Sequence, residues 1–492
     1  MGKKAGKRAK IPYFFTQYGI YKRMETNPQN TLKQASTELD NSNNKKPHTQ
    51  ALSNGVYIST YGCQMNENDS ERMYSLLEMK NYTPVQTPEQ ASLIIINSCS
   101  VREKPVHKVH SEVGKYQKLK NRNPNLKIGV GGCVGQQEKE KLTKRSPLID
   151  FVFGPDNIDE LPQIITDALS TSGKVVKAKF YNNEPYIVEN MVRNPGVSTF
   201  VNITKGCDNF CTFCVVPFTR GRLRSRPAQD IVNDIKNLTR RGVREVTLLG
   251  QNVNSYHGEC GTTFAQLLMK LADDTEIERI RYTTSHPKDF NEDLMKVHRD
   301  YREKVCDYIH LPVQSGSTEV LHKMNRVYSR EHYIDKVKKI LDYVPDVSLS
   351  TDLIVGFPGE TEEEFQMTMS LLDEVEYESI YAFKYSPRPF TKAARWGDQI
   401  TEETKSDRLD RLLKKHREQI FNNCSRYVGR DFKVLIEKAD PKYAGIVTGR
   451  NTRNQLVHVT NQTNAADSDL VGTTVHVKIE KARPQTLYAT LR

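Results

Sequence analysis

The architecture of this chain is decided by a ten-residue stretch, Lys205-Gly206-Cys207-Asp208-Asn209-Phe210-Cys211-Thr212-Phe213-Cys214. It directly follows a predicted β-strand, and α/β folds gather their active-site groups in such loops. Three thiolates separated by three and two residues can hold one cubic iron-sulfur cluster and leave its fourth iron open to a substrate. A zinc site would need a fourth Cys or His nearby, and a redox pair would explain only two of the thiols. The spacing therefore favours a cluster.

The strand before this loop is the first of a regular series. Each strand is followed by a segment of helical length, and a charged amphipathic helix, Thr401–Cys424, ends the series. Strands that alternate with helices indicate parallel β/α units, so residues 190–424 are predicted to form a partial (β/α)6 barrel. The six predicted strands are Thr199–Thr204, Glu245–Leu249, Ile280–Thr284, Tyr308–Leu311, Val347–Val355 and Ser379–Tyr385.

An earlier alternation of strands and helices predicts an N-terminal α/β domain with a parallel sheet over residues 53–175. Cys63, Cys99 and Cys133 each follow one of its first three strands. Because the carboxyl ends of successive parallel strands lie along one edge, the three thiols are expected to converge on a second cluster site. Three unrelated buried cysteines are the alternative. The predicted strands are Val56–Tyr61, Leu93–Asn97, Lys127–Gly132 and Phe151–Gly154.

The two ends of the chain differ from its middle. Residues 1–52 are rich in Lys, Asn, Gln, Thr and Ser and are predicted to be a flexible basic extension. Residues 425–492 contain short β-rich runs divided by turn sequences and are predicted to form a small antiparallel β-barrel. Three further cysteines fit none of these patterns and are interpreted as structural: Cys260, Cys306 and Cys424.

The bulk composition limits the class of protein. The 492 residues carry a net charge of +12, which indicates either a nucleic-acid partner or ordinary solubility charge. No run approaches the ~18 apolar residues of a membrane helix, and no secretory signal is recognisable, so a cytoplasmic protein without membrane contact is predicted. A transit peptide is left open. Nine cysteines in such a chain indicate metal ligands rather than disulfides.

Four stretches resemble the methylthiotransferase family of radical S-adenosylmethionine enzymes, and the resemblance extends from about Val56 to Arg492. Within the family, the run after Cys214 is most similar to enzymes that act on N6-isopentenyladenosine in tRNA. The stretches are Ser59-Thr60-Tyr61-Gly62-Cys63-Gln64-Met65-Asn66, Cys214-Val215-Val216-Pro217-Phe218-Thr219-Arg220-Gly221-Arg222, Leu311-Pro312-Val313-Gln314-Ser315-Gly316-Ser317 and Asp352-Leu353-Ile354-Val355-Gly356-Phe357-Pro358-Gly359-Glu360-Thr361.

The resemblance implies two 4Fe-4S clusters and S-adenosylmethionine, which serves as radical source and methyl donor. The cluster on Cys207, Cys211 and Cys214 would generate the radical that removes hydrogen from C2 of the modified adenine beside the anticodon. The cluster on the earlier cysteines would carry the sulfur of the methylthio group. No amino acid is assigned as catalytic. The residues implied to line the S-adenosylmethionine site are Phe213, Gly250, Gln251, Asn252, Ser285, Gln314 and Asp352.

The expected partners are tRNA and an electron donor of the reductase, flavodoxin or ferredoxin type, and a monomer is expected. The C-terminal barrel resembles the TRAM domain, an RNA-binding module. Phe390 occupies a position where the family usually has Gly, which puts the backbone of that loop in question. If the run after the cysteine loop is extended, alternate arginines share one face and could grip phosphates; a solvated charge run is the alternative. These arginines are Arg220, Arg222, Arg224 and Arg226.

Three other functions are kept as alternatives. Two belong to the same family: methylthiolation of an aspartate in a ribosomal protein, and methylthiolation of threonylcarbamoyladenosine in tRNA. The third is a non-catalytic iron-sulfur protein that binds RNA. A profile of tRNA nucleosides distinguishes all of them from the favoured function.

Overall fold

A computed structural model of the chain describes residues 54–100, 103–181, 186 and 192–491, with side chains for all of these except 103–107. The predicted flexible extension over residues 1–52 lies outside the described residues, as does most of the polar stretch between the first two predicted domains. None of the helices in the described residues combines the length and the apolar character needed to cross a membrane.

The N-terminal sheet has six parallel strands in the order β2-β1-β3-β4-β5-β6. All four predicted strands are present, and two short edge strands, β2 and β6, are added. The strands are β1 Gly55–Tyr61, β2 Thr83–Pro84, β3 Leu93–Ser98, β4 Lys127–Gly131, β5 Phe151–Phe153 and β6 Val175–Lys177. The helices are α1 Gln64–Glu78, α2 Glu103–Lys115, α3 Gln117–Arg122, α4 Gly132–Glu138, α5 Glu140–Arg145 and α6 Leu161–Ser170.

Both faces of this sheet are buried. Along β3, Ile94 and Ile96 belong to one hydrophobic cluster, whereas Leu93 and Ile95 belong to another. Successive side chains of a strand point to opposite faces, so the continuous apolar run of β3 supplies both cores. This explains why β3 lies in the interior of the sheet.

The central strands form two parallel three-stranded sheets in the orders β11-β10-β7 and β12-β13-β14. Both sheets contribute to one hydrophobic core, so together they form the predicted partial barrel. The strands are β7 Ser198–Asn202, β8 Thr204–Lys205, β9 Arg224–Ser225, β10 Glu245–Leu249, β11 Arg279–Tyr282, β12 Tyr308–His310, β13 Ser348–Val355 and β14 Ser379–Lys384. The helices are α7 Val216–Thr219, α8 Ala228–Arg240, α9 Phe264–Asp274, α10 Glu292–Asp300, α11 Thr318–Lys323, α12 Arg330–Tyr343, α13 Glu362–Glu374 and α14 Glu402–Asn423.

Local sequence sets the ends of these elements. Thr361 caps α13, because its side chain accepts from the backbone N–H of Glu364 while the Glu364 carboxylate accepts from the backbone N–H of Thr361.

The predicted first strand of the central part is interrupted at Ile203. The residues after the interruption form β8, which pairs in antiparallel fashion with β9. This interruption directs the chain into the cysteine loop.

The C-terminal strands close into a five-stranded barrel in the order β15-β16-β17-β19-β18. The barrel is predicted to be antiparallel, but β17 and β19 are parallel. A closed ring with an odd number of strands cannot alternate direction throughout, so one parallel pair is unavoidable. The elements are β15 Asp431–Ala439, β16 Ile446–Asn451, β17 Leu456–Asn461, α15 Asp467–Leu470, β18 Thr474–Arg483 and β19 Thr486–Leu491.

The barrel is attached to the first central sheet by two arginines of β11. The guanidinium of Arg279 donates to the carbonyls of Lys433 and Arg450 at 3.1 and 2.6 Å. That of Arg281 donates to the carbonyls of Asn451 and Thr452 at 2.6 and 3.0 Å, and Arg281 is also ion-paired with buried Glu245. Strand side chains thus bind backbone carbonyls of the barrel.

Candidate functional site

The N-terminal sheet brings Cys63, Cys99 and Cys133 together. Cys63 precedes α1, Cys99 directly follows β3, and Cys133 is the second residue of α4, which follows β4. Cys99 is hydrogen-bonded to the other two sulfurs. The hydrogen bond to Cys99 is the main cause that lowers the pKa of Cys63 to about 7 and the pKa of Cys133 to about 6. The pKa of Cys99 itself is raised, mainly by the same hydrogen bonds. Two of the three thiols are therefore biased toward the thiolate form that binds iron.

Glycines allow the backbone to approach these thiols. Gly62 has φ +141°, and a Cβ placed on it would lie 2.4 Å from the Cβ of Cys99. Gly132 has φ +79°, and its Cβ would lie 2.4 Å from Oδ1 of Asn97. Neither position accommodates a side chain. The loops around the three cysteines are therefore built for close approach of backbone, as a cluster with inorganic sulfur requires.

Arg220 of the central part completes this group of cysteines. Its side chain is buried and donates to Sγ of Cys133 at 3.3 Å and to Oδ2 of Asp69 at 2.7 Å. The positive charge helps to lower the pKa of both Cys63 and Cys133. The sequence pattern does not single out Asp69, because its partner lies 151 residues away. A buried cation beside three thiols favours an anionic group at this place.

The four arginines expected to share one exposed face are separated. Arg220 is buried, Arg224 is paired with Asp156, and Arg226 is paired with Asp234. Arg222 keeps an exposed side chain, 58%, beside Asp208. The four arginines do not share one face, because β9 is only two residues long and the chain turns at Gly221, where φ is +79°. A role in RNA binding remains a prediction for Arg222, whereas the other three are engaged inside the protein.

The second group of cysteines lies in the loop between β8 and α7. The amide of Cys207 donates to the carbonyl of Gly221 at 3.2 Å, and the amide of Cys214 donates to the carbonyl of Cys211 at 2.9 Å. Burial raises the pKa of Cys207, and it raises the pKa of Cys214 to about 12. Thiolates at this loop therefore need a compensating positive charge.

Arg326 supplies that charge. Its guanidinium is buried, interacts electrostatically with all three cysteines of the loop, and lies 5.8 Å from the ring centroid of Phe213. Its Nε has no hydrogen-bond partner within the described residues. Sequence analysis missed Arg326, because an isolated arginine far from the cysteine motif carries no spacing signal. In both groups, a buried arginine accompanies three cysteines.

The chemistry of these donors fits iron-sulfur clusters. A cubic cluster takes one thiolate on each of three irons, which matches a set of three cysteines. Soft thiolate sulfur is also the ligand type that iron-sulfur clusters prefer.

Of the residues expected to line the S-adenosylmethionine site, Phe213 lies in the cysteine loop, and the other six lie on or just after β10, β11, β12 and β13. Gly250 approaches Thr204 so closely that a Cβ would lie 1.9 Å from its Oγ1. Gln314 has φ +77° and donates from its amide to the carbonyl of Asp352 at 2.9 Å. Three buried polar atoms have no hydrogen-bond partner within the described residues: Nε2 of Gln251, Oδ1 of Asn252 and Oγ of Ser285. Of these atoms, the amide nitrogen can donate to a bound ligand, the amide oxygen can accept from one, and the hydroxyl can do either.

At Phe390, where the resemblance implies a glycine, the backbone has a conformation that favours glycine. Phe390 has φ +72°, in the left-handed region that bulky residues rarely adopt. The Phe ring is 48% exposed. The position therefore combines a glycine-like backbone with an aromatic surface.

Family models match three parts of the chain. Residues 55–154 match the uncharacterized protein family UPF0004, residues 201–372 the radical SAM superfamily, and residues 425–491 the TRAM domain. These matches coincide with the N-terminal sheet, the central sheets and the C-terminal barrel. The fold class predicted from the sequence is confirmed.

Curated relatives match over most of their length. A protein of Bdellovibrio bacteriovorus called tRNA-2-methylthio-N(6)-dimethylallyladenosine synthase is 59% identical over 433 residues, covering 88% of this chain and 94% of the relative. A protein with the same name from Myxococcus xanthus is 44% identical, and the match covers 88% of this chain and 92% of the relative. Another from Clostridium perfringens is 43% identical, and the match covers 87% of this chain and 96% of the relative.

Solved structures share the fold at low identity. A radical S-adenosylmethionine methyltransferase from Kitasatospora setae, with tryptophan and a cofactor analogue bound, gives a TM-score of 0.52 at 14% identity and covers 79% of each chain. The same enzyme with cobalamin and a 4Fe-4S cluster gives a TM-score of 0.50 at 14% identity, and covers 70% of this chain and 77% of that one. At this identity the likeness concerns the fold alone.

Proposed function

The chain belongs to the tRNA-2-methylthio-N(6)-dimethylallyladenosine synthase family, and from that premise we propose that it converts N6-isopentenyladenosine beside the anticodon into its 2-methylthio derivative. The observation that carries the proposal is the 59% identity to a synthase of this name over 433 residues. The two cysteine groups, each with a buried arginine, are the structural support. The chain is accordingly a radical S-adenosylmethionine transferase.

The proposed cofactors are two 4Fe-4S clusters and S-adenosylmethionine. When bound, they supply radical activation of the C2–H bond of the adenine and the sulfur and methyl group of the product. Cys207, Cys211 and Cys214 would hold one cluster, and the N-terminal cysteines would hold the other. The open iron of the first would be the position for the amino acid part of S-adenosylmethionine.

The other residues of the site would bind and orient S-adenosylmethionine and neutralise the charge of the clusters. Arg326 and Arg220 would compensate the negative charge of the thiolate-bound clusters in their buried surroundings. The unpartnered Nε2 of Gln251 would donate a hydrogen bond to S-adenosylmethionine, the Oδ1 of Asn252 would accept one from it, and the hydroxyl of Ser285 could do either. Together they would keep the reacting atoms in place.

The polyanionic substrate fits the charge of the chain. Its net charge of +12 and its TRAM-matching barrel support tRNA as the partner. An electron donor of the flavodoxin, ferredoxin or reductase type is proposed to supply electrons, with the protein acting as a cytoplasmic monomer.

Mass spectrometry of tRNA nucleosides from a deletion strain tests the function. We expect loss of 2-methylthio-N6-isopentenyladenosine and accumulation of N6-isopentenyladenosine, with restoration by the wild-type gene but not by a Cys211→Ala variant. An unchanged nucleoside profile contradicts the proposal. Loss of the methylthio derivative of threonylcarbamoyladenosine, or of a methylthiolated aspartate in a ribosomal protein, would instead assign one of the alternative substrates.

A further inference from the structure

Three phenylalanines with exposed rings lie in or next to the loop that carries Cys207, Cys211 and Cys214. The side chains of Phe210, Phe218 and Phe390 are 42, 41 and 48% exposed. Large apolar side chains are usually buried, and exposed groups of them mark interaction surfaces. We name these three residues the aromatic rim.

The rim is connected to the cysteine loop by the chain itself. Phe210 lies between two of the cysteines, and Phe218 belongs to α7, which begins two residues after Cys214. The loop of Phe390 is tied to the cysteine loop, because the amide of Ala393 donates to the carbonyl of Thr212 at 3.0 Å. The centroids of the Phe218 and Phe390 rings are 6.0 Å apart at an interplanar angle of 38°. These two rings therefore form one continuous surface.

Two members of the rim have strained backbones. Phe210 has φ +47° and Phe390 has φ +72°, both in the left-handed region that is unfavourable for bulky residues. The side chain of Asn325 donates to the carbonyls of Asn209 and Phe210 at 3.2 Å and fixes the first of these turns. Strain of this kind persists at functional sites. Since neither ring is buried, packing inside the protein does not account for the strain.

Cationic side chains lie beside these rings. The guanidinium of Arg222 is 5.1 Å from the ring centroid of Phe210 and is paired with exposed Asp208 at 2.6 Å. The ammonium of Lys288 donates to Oδ1 of Asn209 in the same loop at 3.2 Å and lies 3.6 Å from Asp289. Aromatic side chains combined with Arg and Lys are the means by which proteins bind unpaired nucleotides, since the rings stack on bases and the cations attract phosphates. The polyanionic tRNA of the proposed function is the partner whose phosphates these cations would attract.

We propose that Phe218 and Phe390 form a stacking surface for an unpaired base of the tRNA anticodon loop, with Phe210 and Arg222 contacting the neighbouring nucleotide. This inference rests on the proposed function and specifies where the RNA enters. It assigns to Phe390 a binding role that glycine at this position would lack. The specificity of this chain for its RNA is then set partly by the rim.

The test uses the protein with both clusters reconstituted and a fluorescent anticodon stem-loop that carries N6-isopentenyladenosine. Phe390→Gly removes the ring and relieves the strained backbone, so it should keep the melting temperature at or above that of the wild type. We expect Phe390→Gly and Phe218→Ala each to raise Kd by about 10-fold, in the range measured when one base-aromatic stack is lost. Phe390→Trp restores a ring and should bind within about 2-fold of the wild type. Phe421→Ala removes an exposed ring on α14 and is the matched control.

Two further results separate this inference from the proposed function. Binding by Phe390→Gly and Phe218→Ala within about 2-fold of the wild type overturns the stacking surface, whether or not methylthiolation occurs. If the rings are needed for RNA binding but the wild type forms no methylthio product, the stacking surface stands and the proposed function fails. If the same variants weaken binding of a ribosomal protein and leave RNA binding unchanged, the rim is a protein-binding surface and the inference is wrong.

Discussion

The guanidinium of Arg220 is bonded to the carboxylate of Asp69 at 2.7 Å, across 151 residues of sequence. Arg220 follows the cysteine loop of the central sheets, and Asp69 lies in α1 of the N-terminal part. The same guanidinium contacts Cys133. One side chain of the central part thus reaches the N-terminal group of cysteines.

Replacing Arg220 by Met should impair the N-terminal cluster selectively. The change leaves Asp69 as an unpaired buried charge beside thiolates, which costs about 3–5 kcal/mol in comparable buried pairs. We expect the iron content to fall by about half of the ~8 irons of two cubic clusters. Any N-terminal cluster that remains should have a more negative midpoint potential in an EPR redox titration. Arg222→Met, which breaks an exposed pair, is the control and should retain its iron.

Replacing Cys63, Cys99 and Cys133 together by Ala should separate the two roles. The variant should hold ~4 irons, one cubic cluster. Reductive cleavage of S-adenosylmethionine should continue, as measured by chromatography of its product 5′-deoxyadenosine. No methylthiolated tRNA should form. If the variant loses both reactions, the assignment of separate roles is wrong.

Gly62→Ala should disrupt the same site through the backbone. The residue has φ +141°, and its new Cβ would lie 2.4 Å from that of Cys99, so the loop must move. We expect a loss of iron similar to that of the triple cysteine variant, measured by iron assay. Gly114→Ala is the matched control, because Gly114 lies in helix α2 with open space around its Cβ position. That change should stabilise the protein by about 0.5–1 kcal/mol.

Arg281→Met should loosen the C-terminal barrel. The buried guanidinium binds two backbone carbonyls of the barrel and is paired with Glu245, so its loss should cost about 3–5 kcal/mol. Hydrogen exchange over residues 431–491 should become faster, and the affinity for tRNA should fall. Arg244→Met breaks the exposed pair with Glu278 and should change stability by less than about 1 kcal/mol. Unchanged exchange in the first variant would show that other contacts hold the barrel.

His298 should make the protein less stable in acid. Burial lowers its pKa from 6.5 to about 4, so the unfolded chain binds a proton that the folded chain excludes. Stability is then greatest above pH 6.5 and decreases as the pH falls toward 4, by up to about 1.4 kcal/mol per pH unit. His298→Gln should have a shallower dependence of melting temperature on pH than the wild type.

Sequence patterns were sufficient where a signal is repeated along the chain. The meeting of Cys63, Cys99 and Cys133 followed from two facts, the parallel sheet and the position of each cysteine after a strand. The six central strands were found for the same reason, since each belongs to a repeated alternation of strands with segments of helical length. Edge strands such as Thr83–Pro84 are too short to carry a pattern.

Interactions between distant residues left no such signal. Arg326 is a single residue whose partners are chosen by the tertiary fold, and Asp69 is one acidic residue among many on a helix surface. The arginines after the cysteine loop formed a visible run, but the turn at Gly221 directs their side chains to different partners. Local periodicity could not predict that turn, because it depends on the antiparallel pairing of β8 with β9.

The contact between Arg220 and Cys133 also sets an order for the synthesis of this protein. Translation begins at the amino end, so Cys133 leaves the ribosome 87 residues before the guanidinium that will neutralise its thiolate. During that interval the three N-terminal thiols exist without their counter-charge, and the finished pocket closes only after the cysteine loop of the central sheets has been made. Under the proposed function, stable loading of iron at the N-terminal thiols would therefore be a late event in biogenesis. A chain truncated before residue 220 would lack the guanidinium that contacts Cys133, and so a complete site for the cluster.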